Sequence, residues 1–248
     1  MPVDIHDILI APPLRIHFSP GAARTLVVCF AGVGTVRHAP PAIELVGSAT
    51  ANGRNPALFV TDESRSWLNA PGMAERIVAE IRETATRLAA TRIVGLGNSM
   101  GASMALHLSG MIEFDTVLAL TPQYSANPAV MPEERRWSYF RKRIAQFRFD
   151  RIERLSPERT RYVIVHGDGP GELAHALRFP RVPGVAHFIV PGMDHRLSAT
   201  LKARGVLRPL VRAAIEGRGP RIRRLIEAEG GMLRSAFEAR RQDRAAQG

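Results

Sequence analysis

A serine stands between two glycines, Gly97-Asn98-Ser99-Met100-Gly101, after an apolar run and before an Ala/Met/Leu-rich one. This pattern suits a nucleophile. On a sharp turn from strand to helix the serine oxygen is pushed clear of the sheet, and small neighbours avoid collision with the flanking elements. The helix that begins there aims its free N–H groups and the positive end of its dipole at the reacting centre. Serine alone is a weak nucleophile and requires a base. Histidines at 166, 175, 187 and 195 all follow it. His187 opens an apolar run and His107 lies in the segment after the serine, so both read as structural. His195 closes "HFIVPGMDHRLS", a strand-like run with a Pro/Gly loop behind it. That places an imidazole at the C-terminal sheet edge, where it can take the serine proton and pass it to a leaving group.

A third group must fix the imidazole tautomer. "YVIVHGDGPGELAHA" offers Asp168, just past the strand, and Glu172 a little later. Asp168 is the preferred acid, with Glu172 as the alternative; Asp194 reads as a helix cap. A developing oxyanion needs N–H donors. Met100 supplies one, and Val33, in the "AGVGT" that follows "TLVVCF", is the natural second, with Gly32 beside it letting a ligand approach the backbone.

These residues need a sheet to hold them. "TLVVCF" (25–30), "ALFVT" (57–61), "RIVGL" (92–96), "TVLAL" (116–120), "YVIVH" (162–166) and "HFIV" (187–190) are continuous apolar runs, as expected of parallel strands buried on both faces. "LRIHF" (14–18) alternates like a partly exposed early strand. Met73, Ile77, Ile81 and Leu88 share one face of a helix, and another helix runs from Gly101 to near Gly110. The alternation predicts an α/β fold with a doubly wound, mostly parallel sheet. Residues 124–161 interleave arginines with Trp137, Tyr139, Phe140 and Phe147 and carry no strand pattern; they read as a small helical cap within a domain spanning 1–217. Residues 218–248 form a basic helical tail, of which Ile222, Leu225, Ile226, Leu233 and Phe237 are spaced to pack.

At 248 residues and 45% hydrophobic content, the chain is sized for one globular α/β domain. No apolar run reaches the roughly 20 residues of a membrane span, and the N-terminus lacks the pattern of a secretory signal. The single cysteine, Cys29, sits in an apolar run, which fits a buried thiol and a reducing cytoplasm. The net charge of +11 comes almost wholly from arginine and reads as compositional bias, with no zinc-ligand spacing or aromatic-rich basic motif pointing to nucleic acid. No metal and no organic cofactor is implied.

With "GNSMG" as a nucleophile turn, "CFAGVG" as an oxyanion loop, "HGDGPGE" as an acid loop and "PGMDH" as a histidine loop, the chain resembles the α/β-hydrolase superfamily over about residues 14–215. The order Ser, acid, His is the order that superfamily uses. The resemblance departs at Ala31-Gly32, where many members have His-Gly, and at Pro170, where the acid often stands. "GNSMGAS" with "ALTPQYS" further resembles a bacterial group associated with polysaccharide and glycosyltransferase functions. Gln123 of that segment and Trp137 of the cap join Gly32 as expected substrate-binding residues. The resemblance implies a serine hydrolase acting on a small-molecule acyl ester or thioester, anionic or carbohydrate-linked, with cap arginines such as Arg135, Arg136 and Arg141 steering an anionic substrate. Two alternatives stay open: an acyltransferase on the same scaffold, and a non-catalytic binding module.

Overall fold

The apolar runs become the central strands of one sheet. In the computed structural model, which describes residues 3–247, the strands are β1 (His6–Ala11), β2 (Leu14–Ser19), β3 (Thr25–Phe30), β4 (Ala57–Asp62) and β5 (Arg92–Asn98). They continue with β6 (Thr116–Leu120), β7 (Arg161–Gly167), β8 (Ala186–Val190) and the two-residue β9 (Met232–Leu233). The helices are α1 (Val46–Ala49), α2 (Met73–Arg87), α3 (Met100–Leu108), α4 (Ser138–Arg141), α5 (Glu172–Arg178), α6 (Leu197–Ala203), α7 (Leu207–Ile215), α8 (Gly219–Ala228) and α9 (Arg234–Ala246). The sheet order is β1-β2-β4-β3-β5-β6-β7-β8-β9. Strands β3 to β8 pair in parallel, while β1, β2 and β9 are antiparallel to their neighbours.

Strand pleating divides the core in two. Leu26, Val28 and Phe30 of β3 point into a cluster with α2 and α3, whereas Val27 and Cys29 point to the other face, covered by α1, α6, α7 and α8. Alternate residues of a strand face opposite sides, so a run apolar at every position must be buried on both. Cys29 is 2% exposed, and burial first, then the charge of Glu44, pushes its thiol pKa strongly up, leaving an inert thiol.

Two edges add what the sequence pattern did not announce. β1 is a largely exposed strand that forms a hairpin with β2, whose Leu14, Ile16 and Phe18 are buried. At the far edge β9 adds to β8, with α9 seated beside them through Phe237 and through Arg234, whose guanidinium donates to the Leu177 and Phe179 carbonyls at 2.7 Å each. Residues 124–161 cross the top of the first core, contributing Tyr124, Ala126, Met131, Ile152 and Leu155 to it. The helical content of this cap is one turn, α4. Its other turns are tied down by Arg141, which donates to the carbonyls of Ala126, Met131 and Glu134 in place of a regular ladder. No helix among the described residues is long and apolar enough to cross a membrane.

Candidate active site

Ser99 sits between β5 and α3 with φ 55° and ψ −125°, a region that costs a non-glycine residue about 1–3 kcal/mol. The surroundings enforce it. The Ser99 N–H donates to the Leu120 carbonyl at 2.8 Å, and a Cβ on Gly101 would fall into the Phe30 carbonyl, one on Gly97 into the Gly101 backbone. The two glycines thus let helix and strands close in until the serine has only its strained conformation left.

That conformation presents Oγ to His195, whose Nε2 lies 2.9 Å away. On the other side of the ring, Nδ1 is 2.8 Å from Oε1 of Glu172. A carboxylate only accepts, so Nδ1 carries the proton and Nε2 is free to accept from the serine hydroxyl. The expected acid, Asp168, is elsewhere. Its Oδ1 accepts from the Gly192 N–H at 2.7 Å, and its side chain lines a cavity with Pro191, Met232 and Phe237 beneath α9. The Gly169–Gly171 turn carries the chain past Asp168 before α5 begins, and the first side chain directed back to the sheet edge belongs to Glu172, 1% exposed. The alternative acid is therefore the one in position.

Glu172 is held from a second direction. Arg136 of the cap pairs through Nη1 with the same Oε1 and through Nη2 with Glu134. Glu134 in turn accepts from His175 Nε2 at 3.1 Å, and His175 Nδ1 accepts from the Tyr124 N–H at 3.0 Å. Gly171 is the passage for this link, since a Cβ there would lie 3.0 Å from Arg136 Nη2. Burial is the strongest single influence on Glu172 and opposes its charge, but the His195 hydrogen bond and the charges of His195, His166 and Arg136 together outweigh it and hold the pKa down to about 2. The acid is ionised wherever the imidazole must be oriented.

The serine oxygen has one more neighbour. Gln123 Nε2 donates to Ser99 Oγ at 3.2 Å, and the amide cannot be flipped, because Oε1 accepts from the Trp67 Nε1–H at 2.9 Å and an indole only donates. Trp137 stands edge-on to His195 with ring centroids 4.9 Å apart, and 6.2 Å from Trp67. Gln123 and Trp137, both expected at the substrate site, thus lie at the serine and the histidine.

The oxyanion loop divides its amides. Gly32, an expected ligand-binding residue, lies beside Ser99, and its N–H is turned toward Glu44 Oε1 at 3.4 Å. The amides of Val33 and Met100 belong to buried residues and have no hydrogen-bond partner among the described residues. An N–H group without a protein partner is free to meet an acceptor. The loop is shaped by Arg65, which donates to Val33 O at 3.2 Å, Val36 O at 3.1 Å and Ala39 O. Glu44 is a second carboxyl at the turn; burial raises its pKa, opposed by hydrogen bonds from Gly32 and Asn98 and by the charge of His195. Arg65, Trp67, Glu44 and the Arg136 link had no motif to mark them; each acts from a segment whose place depends on the finished fold.

Beneath the site, His166 Nε2 donates to Pro122 O at 2.8 Å, and its Nδ1 lies 3.0 Å from His187 Nε2. Both rings are buried. Desolvation holds His166 down to about 4 and His187 well below its usual value. The sign is the reverse of a salt-bridged histidine. With folded pKa values depressed, their stability contribution is full above about pH 6.5 and is lost as pH falls toward 4. Two such protons give a limiting slope of roughly 3 kcal/mol per pH unit. Urea unfolding between pH 7 and 4.5 is expected to show this fall, and His187→Phe to flatten it.

No protein-family model and no curated protein matches the chain. Solved structures do. The capsule O-acetyltransferase of Neisseria meningitidis serogroup A superposes with a TM-score of 0.59 at 12% identity, covering 82% of this chain and 92% of that one. An arylesterase gives 0.55 at 15% identity over 87% and 86% of the two chains. A serine hydrolase without lid from Xanthomonas campestris gives 0.51 at 13% identity over 84% and 94%. What these likenesses share is a fold.

Proposed function

On an α/β-hydrolase fold, we propose that this chain is a serine hydrolase that cleaves an ester or thioester through an acyl-Ser99 intermediate. One observation carries the reading: an unbroken line from Ser99 Oγ to His195 to Glu172, with bonds of 2.9 and 2.8 Å, on a strained turn. In the first half-reaction Ser99 Oγ attacks the acyl carbon as its proton passes to His195 Nε2. Glu172 keeps the Nδ1 proton in place and stabilises the imidazolium. The Val33 and Met100 amides donate to the oxyanion, a contribution of about 3–4 kcal/mol per donor in comparable sites. The leaving alcohol or thiol takes the proton from His195. In the second half-reaction a water gives its proton to His195 and attacks the acyl carbon, and Ser99 Oγ departs toward both the imidazolium and the Gln123 N–H.

A second reading replaces that water with a hydroxyl acceptor. It is favoured by the fold likeness to a capsule O-acetyltransferase and by Ser99 being only 4% exposed, with Trp137 packed on the edge of its partner His195. Transfer requires the acyl-enzyme to be shielded from water. A single assay separates the readings: p-nitrophenyl acetate turnover with and without sugars as acceptors. Acetic acid as the product at every acceptor concentration supports hydrolysis, and an acetylated sugar formed at its expense supports transfer. Turnover that survives in Ser99→Ala overturns both. The line from Ser99 to His195 to Glu172 favours either catalytic reading over a binding module.

A further inference from the structure

Of the cap arginines expected to steer a substrate, Arg135 is exposed and lines no wall of the slot beside the oxyanion loop, and the other two are engaged elsewhere. Arg136 is paired with Glu134 and Glu172, and Arg141 is buried on three carbonyls. A different cation faces an open space. Between the oxyanion loop and the cap lies a cavity of about 310 Å³, walled by Val33, Thr35 and Arg37 on one side and by Trp137, Ser138 and Tyr139 on the other. We propose that this slot is the substrate site's anion pocket, in which Arg37 receives a carboxylate or phosphate carried by the acyl ester. The inference rests on the catalytic reading of Ser99 and adds the substrate class to it.

Three features place it there. The slot joins the reaction centre at both inner corners: Val33 belongs to the oxyanion loop, and Trp137 meets the His195 ring edge-on at 4.9 Å. Its charge has one sign. No carboxylate lines it, and the Arg37 guanidinium lies 4.4 Å from the Tyr139 ring centroid with no ion pair or hydrogen bond among the described residues. Arg143 lies over the same ring at 3.4 Å. A guanidinium stacked on an aromatic face keeps its N–H edge available for two-point binding of a carboxylate or phosphate. The wall is also built in advance. Arg65 fixes the loop through the carbonyls of Val33, Val36 and Ala39, and it lies 4.9 Å from the Phe140 ring, so little ordering remains to oppose binding.

The test uses matched esters. Mono-p-nitrophenyl succinate against p-nitrophenyl butyrate probes a carboxylate on the acyl side. 4-Acetoxyphenyl phosphate against p-tolyl acetate probes a phosphate on the leaving side. Calorimetric binding to Ser99→Ala protein, which needs no chemistry, is measured beside kcat/KM of the wild type. In at least one pair the anionic member is expected to bind, and to react, about tenfold better at low salt, with the preference falling to about twofold in Arg37→Gln. Arg223→Gln on α8, which removes the same charge from an exposed site, is expected to keep the preference. Which pair responds identifies the anion. Equal or weaker binding of both anionic members overturns the proposal, as does a preference that survives Arg37→Gln or vanishes equally in Arg223→Gln. Because binding is read on Ser99→Ala, a failure of the nucleophile and a failure of the pocket are told apart.

Discussion

Ser99→Ala and His195→Ala are each expected to lower kcat on an activated ester by about 10⁵-fold, and the double replacement to lose no more than the worse single one. Independent contributions would multiply. These do not, because the 2.9 Å bond between Oγ and Nε2 makes the two groups one device: without the base the hydroxyl is not activated, and without the hydroxyl the base has nothing to activate. The remaining rate comes from substrate binding and from the amides at Val33 and Met100, which neither replacement removes. Steady-state p-nitrophenyl acetate hydrolysis by the three variants, each checked by thermal unfolding, measures this. Multiplicative losses would mean that the two side chains act separately.

The choice of acid gives the second large effect. Glu172→Gln is expected to lower kcat by about 10⁴-fold, because a neutral amide can present its N–H to Nδ1 and turn the imidazole into the wrong tautomer. Asp168→Asn is expected to stay within about twofold, since its carboxylate meets a backbone amide of the Gly192 turn and no part of the imidazole. Glu172→Gln also leaves Arg136 with one carboxylate where it had two, so its unfolding midpoint is expected to drop while Glu134 still holds the guanidinium. Loss of turnover in Asp168→Asn with Glu172→Gln still active would invert the assignment.

The contrast between these two carboxylates shows what a sequence makes legible. The turn at Ser99 is legible because it depends on local backbone: glycines two residues away on either side, one strand and one helix. His195 could be read because a strand end and a Pro/Gly loop define where the next side chain stands. The parallel strands are equally plain, since burial on both faces leaves runs apolar at nearly every position, with polar residues mainly at their ends. Asp168 and Glu172 are separated by a glycine-rich turn whose path no periodicity describes, and it is the residue farther from the strand that meets the imidazole. Arg136 reaches Glu172 across 36 residues of sequence, and Trp67 reaches Gln123 across 56. Such contacts are products of the tertiary fold. β1 and β9 leave little pattern for a smaller reason: one is an exposed hairpin strand and the other is two residues long.

Mass spectrometry of the protein after reaction with a fluorophosphonate bears on the nucleophile itself. Such a reagent phosphonylates a serine only when a neighbouring base activates its hydroxyl. One adduct per chain is predicted, mapped to the peptide carrying Ser99, absent from Ser99→Ala and strongly slowed in His195→Ala. A folded wild-type protein that takes up no label, or one labelled at another residue, would contradict the catalytic account.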